Sequence, residues 1–180
     1  FASGKDPFAL YGNPKAYGAL MDQVGAKLTA CKANFKFFYD SKDQLLNGFR
    51  SGEIVAAMMW DTGGWTLHRE NPDIRFIVPR SGALGWLDTF ALPARGRNDA
   101  AAYAWINFVM RPENAARVVK SVGSFSTANG TAPLIDPRLK AQFDAAFPNG
   151  YLKGIHWYPA IPVGLEEMEG QVLDRVKAAN

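Results

Sequence analysis

Residues Ile54-Val55-Ala56-Ala57-Met58-Met59-Trp60 form an unbroken apolar run of strand length. An apolar run without polar alternation fits a strand covered on both faces, and a covered strand needs helices packed on its sheet. The flanking residues read that way. Ser41-Lys42-Asp43-Gln44 matches a capping box and predicts a helix ending near Ser51-Gly52. Asn34 to Tyr39 is a short β-rich run. Beyond the apolar run, Gly63-Gly64 is expected to break the chain, Trp65 to Glu70 to be helical, and Ile74 to Val78 to form another strand. Strand–helix–strand alternation of this kind predicts an α/β fold with helices on a sheet.

The rest of the chain is richer in helix signals. Asn13 can cap a helix whose first position is Pro14, with apolar Tyr17, Leu20, Met21, Val24 and Leu28 carrying it to about Ala30. Trp86 to Pro93 reads as an extended segment. Asn98 is expected to cap a helix over Ala100–Met110 that stops at Arg111-Pro112; a second helix runs to Val122 and ends at Gly123. Ser124 to Pro133 is expected to be a loop or short extended piece. Asp136–Phe147 reads as a short helix, Pro148-Asn149-Gly150 as a turn, and Gly164–Ala179 as a terminal helix with acids early and bases late, as the helix dipole prefers. The opening stretch Phe1-Ala2-Ser3-Gly4-Lys5-Asp6-Pro7 reads as the end of a helix, so the chain reads as a fragment.

At 180 residues the chain can bury a real core in one or two units. Its Lys and Arg are scattered among acids and the net charge is only +3, which argues against a nucleic-acid partner. Cys31 is alone, so neither an intramolecular disulfide nor a cysteine metal motif is expected. His68 and His156 form no HxxxH or HExxH pattern, and there is no Gly-x-Ser-x-Gly elbow. No catalytic residue, metal or cofactor is therefore assigned, and an enzyme is not the expected reading.

Binding chemistry is more legible. In Gly85-Trp86-Leu87-Asp88 an aromatic ring and a carboxylate lie two residues apart, so on an extended segment they point the same way. A ring face beside an anion suits a desolvated ammonium group, through cation–π attraction and a charge-assisted hydrogen bond. Trp60-Asp61 is a second such pair, although Asp61 or Thr62 could equally cap the following helix. Phe125 reads either as a further wall of a cleft or as a hydrophobic plug. Trp157 and Tyr158, in the cluster Gly154-Ile-His-Trp-Tyr-Pro159, either join that wall or pack on the sheet.

Three motifs together resemble the periplasmic solute-binding proteins of ABC transporters, in the spermidine/putrescine-binding group. Asn34-Phe-Lys-Phe-Phe-Tyr39 with Ser41, Gly52-Glu-Ile-Val-Ala56 and Trp60 is similar to the family's strand–helix–strand leading to a ligand-stacking Trp. Gly85-Trp-Leu-Asp88 with Ala91-Leu-Pro93 resembles its aromatic-x-Asp hinge strand. Ala104-Trp-Ile-Asn-Phe-Val-Met-Arg-Pro112 resembles the helix pair that follows, and Phe125 falls where the family has a ligand-facing Tyr. The chain departs from the family in reading Trp60-Asp-Thr-Gly-Gly64, and in its length, since members are nearly twice as long.

The resemblance implies a bilobed, type II periplasmic-binding-protein-like α/β fold. Residues 1–87 would be the first part of the second lobe, 88–132 a return segment belonging to the first lobe, and 133–180 the C-terminal part of the second. It implies a small amine such as putrescine or spermidine bound in an inter-lobe cleft by Trp60, Asp61, Trp86, Asp88, Phe125, Trp157 and Tyr158. The expected partners are an ABC permease in the inner membrane and a missing N-terminal lobe, supplied as a separate chain or segment. The expected location is the periplasm, with a signal peptide removed. A zwitterionic amine such as γ-aminobutyrate is the nearest alternative ligand; it needs an Arg, for which Arg97 is poorly placed. An enzyme or sensor on the same bilobed fold is the alternative of a different class.

Overall fold

Helix α1 (Pro14–Cys31) begins where Asn13 accepts a hydrogen bond from the Ala16 N–H at 3.1 Å, with Pro14 in the first turn, as its sequence predicts. The computed structural model describes every residue except Ala2, Asn149, Tyr151, Leu152 and Asn180, so the turn expected at Asn149 lies outside the described residues. Six further α-helices follow among the described residues. They are α2 (Lys42–Arg50), α3 (Asp61–Glu70), α4 (Asp99–Val109), α5 (Pro112–Val122), α6 (Pro137–Ala146) and α7 (Leu165–Ala178). The described residues hold two short strands, β1 (Ala83–Gly85) and β2 (Ile155–Trp157), which pair in parallel with Leu84 opposite His156.

Two units emerge. The first comprises Phe1–Asp40, Pro79–Trp86 and Gly154–Asn180; the second comprises Ser41–Val78 and Leu87–Lys153. In the first unit α1 packs along α7, burying Tyr17 and Leu20 of one helix and Leu165, Val172 and Val176 of the other. Polar ties lock the pair. The Tyr17 hydroxyl donates to Glu169, Arg175 pairs with Asp22 at 2.6 Å, and Lys32 Nζ donates to the carbonyls of Lys177, at 2.7 Å, and Ala179. Those last two bonds place a cation on the exposed carbonyls at the end of α7, where the helix dipole favours positive charge.

The second unit is centred on Trp65, which is 2% exposed and packs its ring on Phe76 and Phe143 at centroid distances of 4.8 and 5.2 Å. Leu45 and Leu46 of α2, Leu67 of α3, Ala115 and Val119 of α5, and Leu139 of α6 are buried in this unit as well. Helix α2 opens on Ser41, whose hydroxyl accepts the Gln44 N–H at 3.2 Å. Helix α6 opens on Asp136, which accepts from the N–H groups of Arg138 and Leu139. Helix α5 ends at Gly123 in the left-handed conformation. These three ends match their local signals.

The strand expectations fare differently. Asn34–Tyr39, Ile54–Trp60, Ile74–Val78 and Trp86–Pro93 carry no strand. Val55 and Met58 are 93% and 82% exposed, so the apolar run is not the buried strand its composition predicts. The reason is that a strand exists only as part of a ladder. Apolar composition marks a segment fit for one but supplies no partner.

Gly63-Gly64 corrects a second expectation. The pair does not break the chain but lies inside α3, whose first residue is Asp61. A Cβ on Gly63 would stand 2.5 Å from Met59 Cε, and one on Gly64 2.6 and 2.7 Å from Phe76 Cδ2 and Cβ. The glycines thus trade helix propensity for close approach of a neighbouring segment. Gly64→Ala should destabilise the chain by about 1–3 kcal/mol in spite of alanine's better propensity. Urea unfolding at constant m-value reads this directly.

Candidate functional site

Of the seven predicted site residues, Trp86, Trp157 and Tyr158 belong to the first unit and Trp60, Asp61, Asp88 and Phe125 to the second. In the first unit the parallel pairing collects its three. Strand β1 ends at Gly85 and β2 at Trp157, and the Tyr158 N–H donates to the Gly85 carbonyl at 3.0 Å, carrying the ladder one step on. Trp86 and Tyr158 therefore leave the carboxyl ends of two adjacent parallel strands, the place where open α/β sheets bind their ligands. Trp86 and Trp157 remain 48% and 42% exposed.

Tyr158 is backed by further rings, as its ring lies 5.5 Å from Phe8, which lies 5.5 Å from Tyr11. Burial, and then the charge of Glu169, push the Tyr158 and Tyr11 hydroxyls above the ordinary tyrosine range. Tyr17 is raised further, by burial first and then by the hydrogen bond it donates to Glu169. All three shifts widen the margin by which these phenols, already neutral at physiological pH, keep their protons. The sequence reading misses this cluster. It takes Tyr17 as an apolar helix position and Glu169 as an early-helix acid, and a pair 152 residues apart leaves no local signal.

In the second unit Trp60 stands just ahead of α3, 63% exposed, with Asp61 as the first helical residue. Neither Asp61 nor Thr62 occupies the capping position, which falls to Trp60 without a side-chain cap bond. Asp61 instead accepts from the Thr62 N–H at 2.8 Å. Burial raises its carboxyl above the ordinary aspartate range, against the lowering pull of the Thr62 N–H and of Trp65. The buried Trp65 Nε1 nevertheless completes no hydrogen bond of ordinary geometry.

A carboxyl whose pKa rises on folding holds its proton more tightly in the folded chain, so its presence lowers stability as pH rises from its ordinary to its folded pKa. Asp61→Asn keeps an oxygen for the Thr62 N–H and removes the buried charge. Its unfolding midpoint should therefore gain on the wild type as pH rises through the range above the ordinary aspartate pKa of about 4. Paired thermal melts across that range check it, and a constant offset would refute it.

Asp88 is exposed, outside every helix and strand, two residues beyond the boundary between the units. β1 ends at Gly85, so Trp86 and Asp88 lie beyond the ladder, on a segment that is neither helix nor strand. The Phe125 ring packs on Phe143 and Phe147, with centroids 4.2 and 5.5 Å away, and keeps 38% of its surface exposed. Two surface hollows, one beside Lys5, Leu10 and Gln23 and one beside Glu113, Arg117 and Lys120, contain none of the seven residues. Among the described residues no group of three His, Cys, Asp or Glu side chains could hold a metal ion, and no helix is long and apolar enough to cross a membrane.

The model of the bacterial extracellular solute-binding protein family matches residues 1–149. The chain belongs to this family. It is 26% identical over 162 residues to the spermidine/putrescine-binding periplasmic protein 1 of Haemophilus influenzae, covering 89% of this chain and 44% of that protein. It is 25% identical over 119 residues to a putrescine-binding periplasmic protein of Escherichia coli, covering 63% and 32%. With the putrescine/agmatine-binding protein of Pseudomonas aeruginosa it shares 24% identity over 136 residues, covering 72% and 37%. The chain thus spans less than half the length of these solute-binding relatives. No solved structure matches.

Proposed function

We propose that the chain is part of the solute-binding component of an ABC importer that takes a polyamine such as putrescine or spermidine in the periplasm. The observation that carries this reading is the aromatic group at the carboxyl ends of β1 and β2, in a chain whose relatives are named for polyamines. In the proposed mechanism Asp88 accepts hydrogen bonds from one ammonium group, and Asp61 is available to a second. Trp86 and Trp60 cover the alkyl chain and contribute cation–π attraction. Phe125, Trp157 and Tyr158 wall the site. A desolvated ammonium–carboxylate contact with ring stacking contributes about 2 kcal/mol or more, enough to dominate selection against neutral solutes.

The lobe assignment is proposed with it, with 1–87 and 133–180 in the second lobe of a type II fold and 88–132 returning to the first. The remainder of the first lobe would come from another segment or chain, and the ligand-bound form would be read by an inner-membrane permease. The chain spans 44% and 32% of the two relatives, so most of their length has no counterpart in it.

Calorimetric titration of the natural polypeptide carrying this sequence, with putrescine, spermidine and γ-aminobutyrate, tests the proposal. Saturable binding of either polyamine supports it. Binding of γ-aminobutyrate alone moves the ligand to the zwitterionic class, and no heat from any of the three overturns the amine reading.

A further inference from the structure

The segment that delivers Trp86 is tied to β2 by more than its ladder. Ladder bonds run from the Ala83 N–H to the Gly154 carbonyl at 2.8 Å and from the Tyr158 N–H to the Gly85 carbonyl at 3.0 Å. Ahead of them, His156 Nε2 lies 2.7 Å from the Ser81 carbonyl oxygen. A carbonyl only accepts, so this contact requires the imidazole proton on Nε2. The next residue, Gly82, has φ +93°. A Cβ there would collide with His156 Nε2 and stand 2.6 Å from Cδ2 and 2.7 Å from the Gly154 oxygen, so the backbone rests directly on the ring edge. The Phe1 ring stacks on the imidazole at 3.6 Å and 10°. The imidazole is thus clamped between a stacked ring and a glycine-only backbone, and spends its donor on the chain five residues before Trp86.

We propose that His156 is a positioning residue for the ligand site, holding the Ser81–Gly85 segment so that Trp86 stands beside Tyr158 at the ends of the strands. This rests on the amine-site reading above. His156 does not touch ligand; it acts through Trp86.

The test is a double-mutant cycle in the natural polypeptide, with putrescine as probe. His156→Ala should weaken binding by about tenfold, while His156→Gln, whose amide N–H can reach the Ser81 carbonyl, should stay within about threefold of wild type. In a Trp86→Ala background the His156→Ala effect should shrink to about twofold or less, because the two residues act in one chain of contacts. An equal loss in both backgrounds, no loss in His156→Ala, or a Gln variant as weak as Ala would overturn the inference. Melting curves run beside the titrations, and if His156→Ala does not fold, His156→Leu, which fills the space without a donor, replaces it.

A second readout needs no ligand. The emission that Trp86→Phe removes should become more open to acrylamide quenching in His156→Ala, and unchanged quenching overturns the inference whatever the amines do. A wild type that quenches as expected but takes no amine would instead strike at the amine reading alone.

Discussion

Asp88→Ala is expected to weaken putrescine binding by about 30- to 100-fold, a loss of about 2–3 kcal/mol, without moving the unfolding midpoint. The two halves of this expectation have separate grounds. Truncating the carboxylate leaves an ammonium group desolvated and unpaired, which costs more than the net worth of the contact. The fold, in contrast, asks nothing of Asp88, which is exposed and outside every helix and strand. Titration and melting of the same sample therefore separate ligand chemistry from folding. An Asp88→Asn variant refines the result. If charge is what matters, Asn should recover little of the loss; if a hydrogen-bond acceptor suffices, it should recover most of it. Unchanged affinity in Asp88→Ala would remove the residue from the site.

The largest expected stability effect lies elsewhere. Trp65→Ala should cost about 3–5 kcal/mol, a large share of the 5–15 kcal/mol that ordinarily separates folded from unfolded chains. Trp65 is nearly fully buried, and its removal strips one side from Phe76 and from Phe143, which also supports Phe125. The close approach of Phe76 to Gly64 is set around the same ring, so the site can collapse only partly and a cavity remains. Trp105→Ala provides the contrast. Trp105 is 59% exposed on α4, which buries none of its residues, and its loss should shift stability by no more than about 0.5 kcal/mol. Guanidinium unfolding of the two variants, side by side, reads the difference. Similar midpoints would mean that Trp65 is not the centre of the second unit.

The contrast between what the sequence disclosed and what it hid follows from the range of the interactions. Asn13 with Pro14, Ser41 with Gln44, Asp136 with its two N–H partners, and Gly123 in its left-handed turn are local devices, complete within four residues, and each marks a helix end found in the structure. Ile54–Trp60 failed as a strand because its composition speaks only of burial, whereas strand formation depends on a partner. The β1–β2 pair shows the converse. Its two three-residue strands are too short for a periodicity signal, and they pair across about seventy residues of chain.

The site divides in the same way. Trp86, Trp157 and Tyr158 could be picked out by residue type, but nothing local indicated that β1 and β2 would set them side by side. Glu169 and His156 escaped for the same reason, since their partners are Tyr17 and Ser81. Gly63-Gly64 misled because a glycine pair signals a chain break only where nothing presses on it. Here Met59 and Phe76 do.

The make-up of the first unit also sets an order of events during synthesis. Helix α1 leaves the ribosome well before its packing partner α7, and the β1–β2 pair waits on residues after 153. Until then α1 carries its apolar stripe of Tyr17 and Leu20 uncovered, and closing the unit requires a loop of well over a hundred residues. The second unit has no such wait, because Ser41–Val78 and Leu87–Lys153 have already emerged. Nascent chains should thus acquire the Trp65 core before the α1–α7 pair. The interval between the two is when the chain depends most on a holding chaperone.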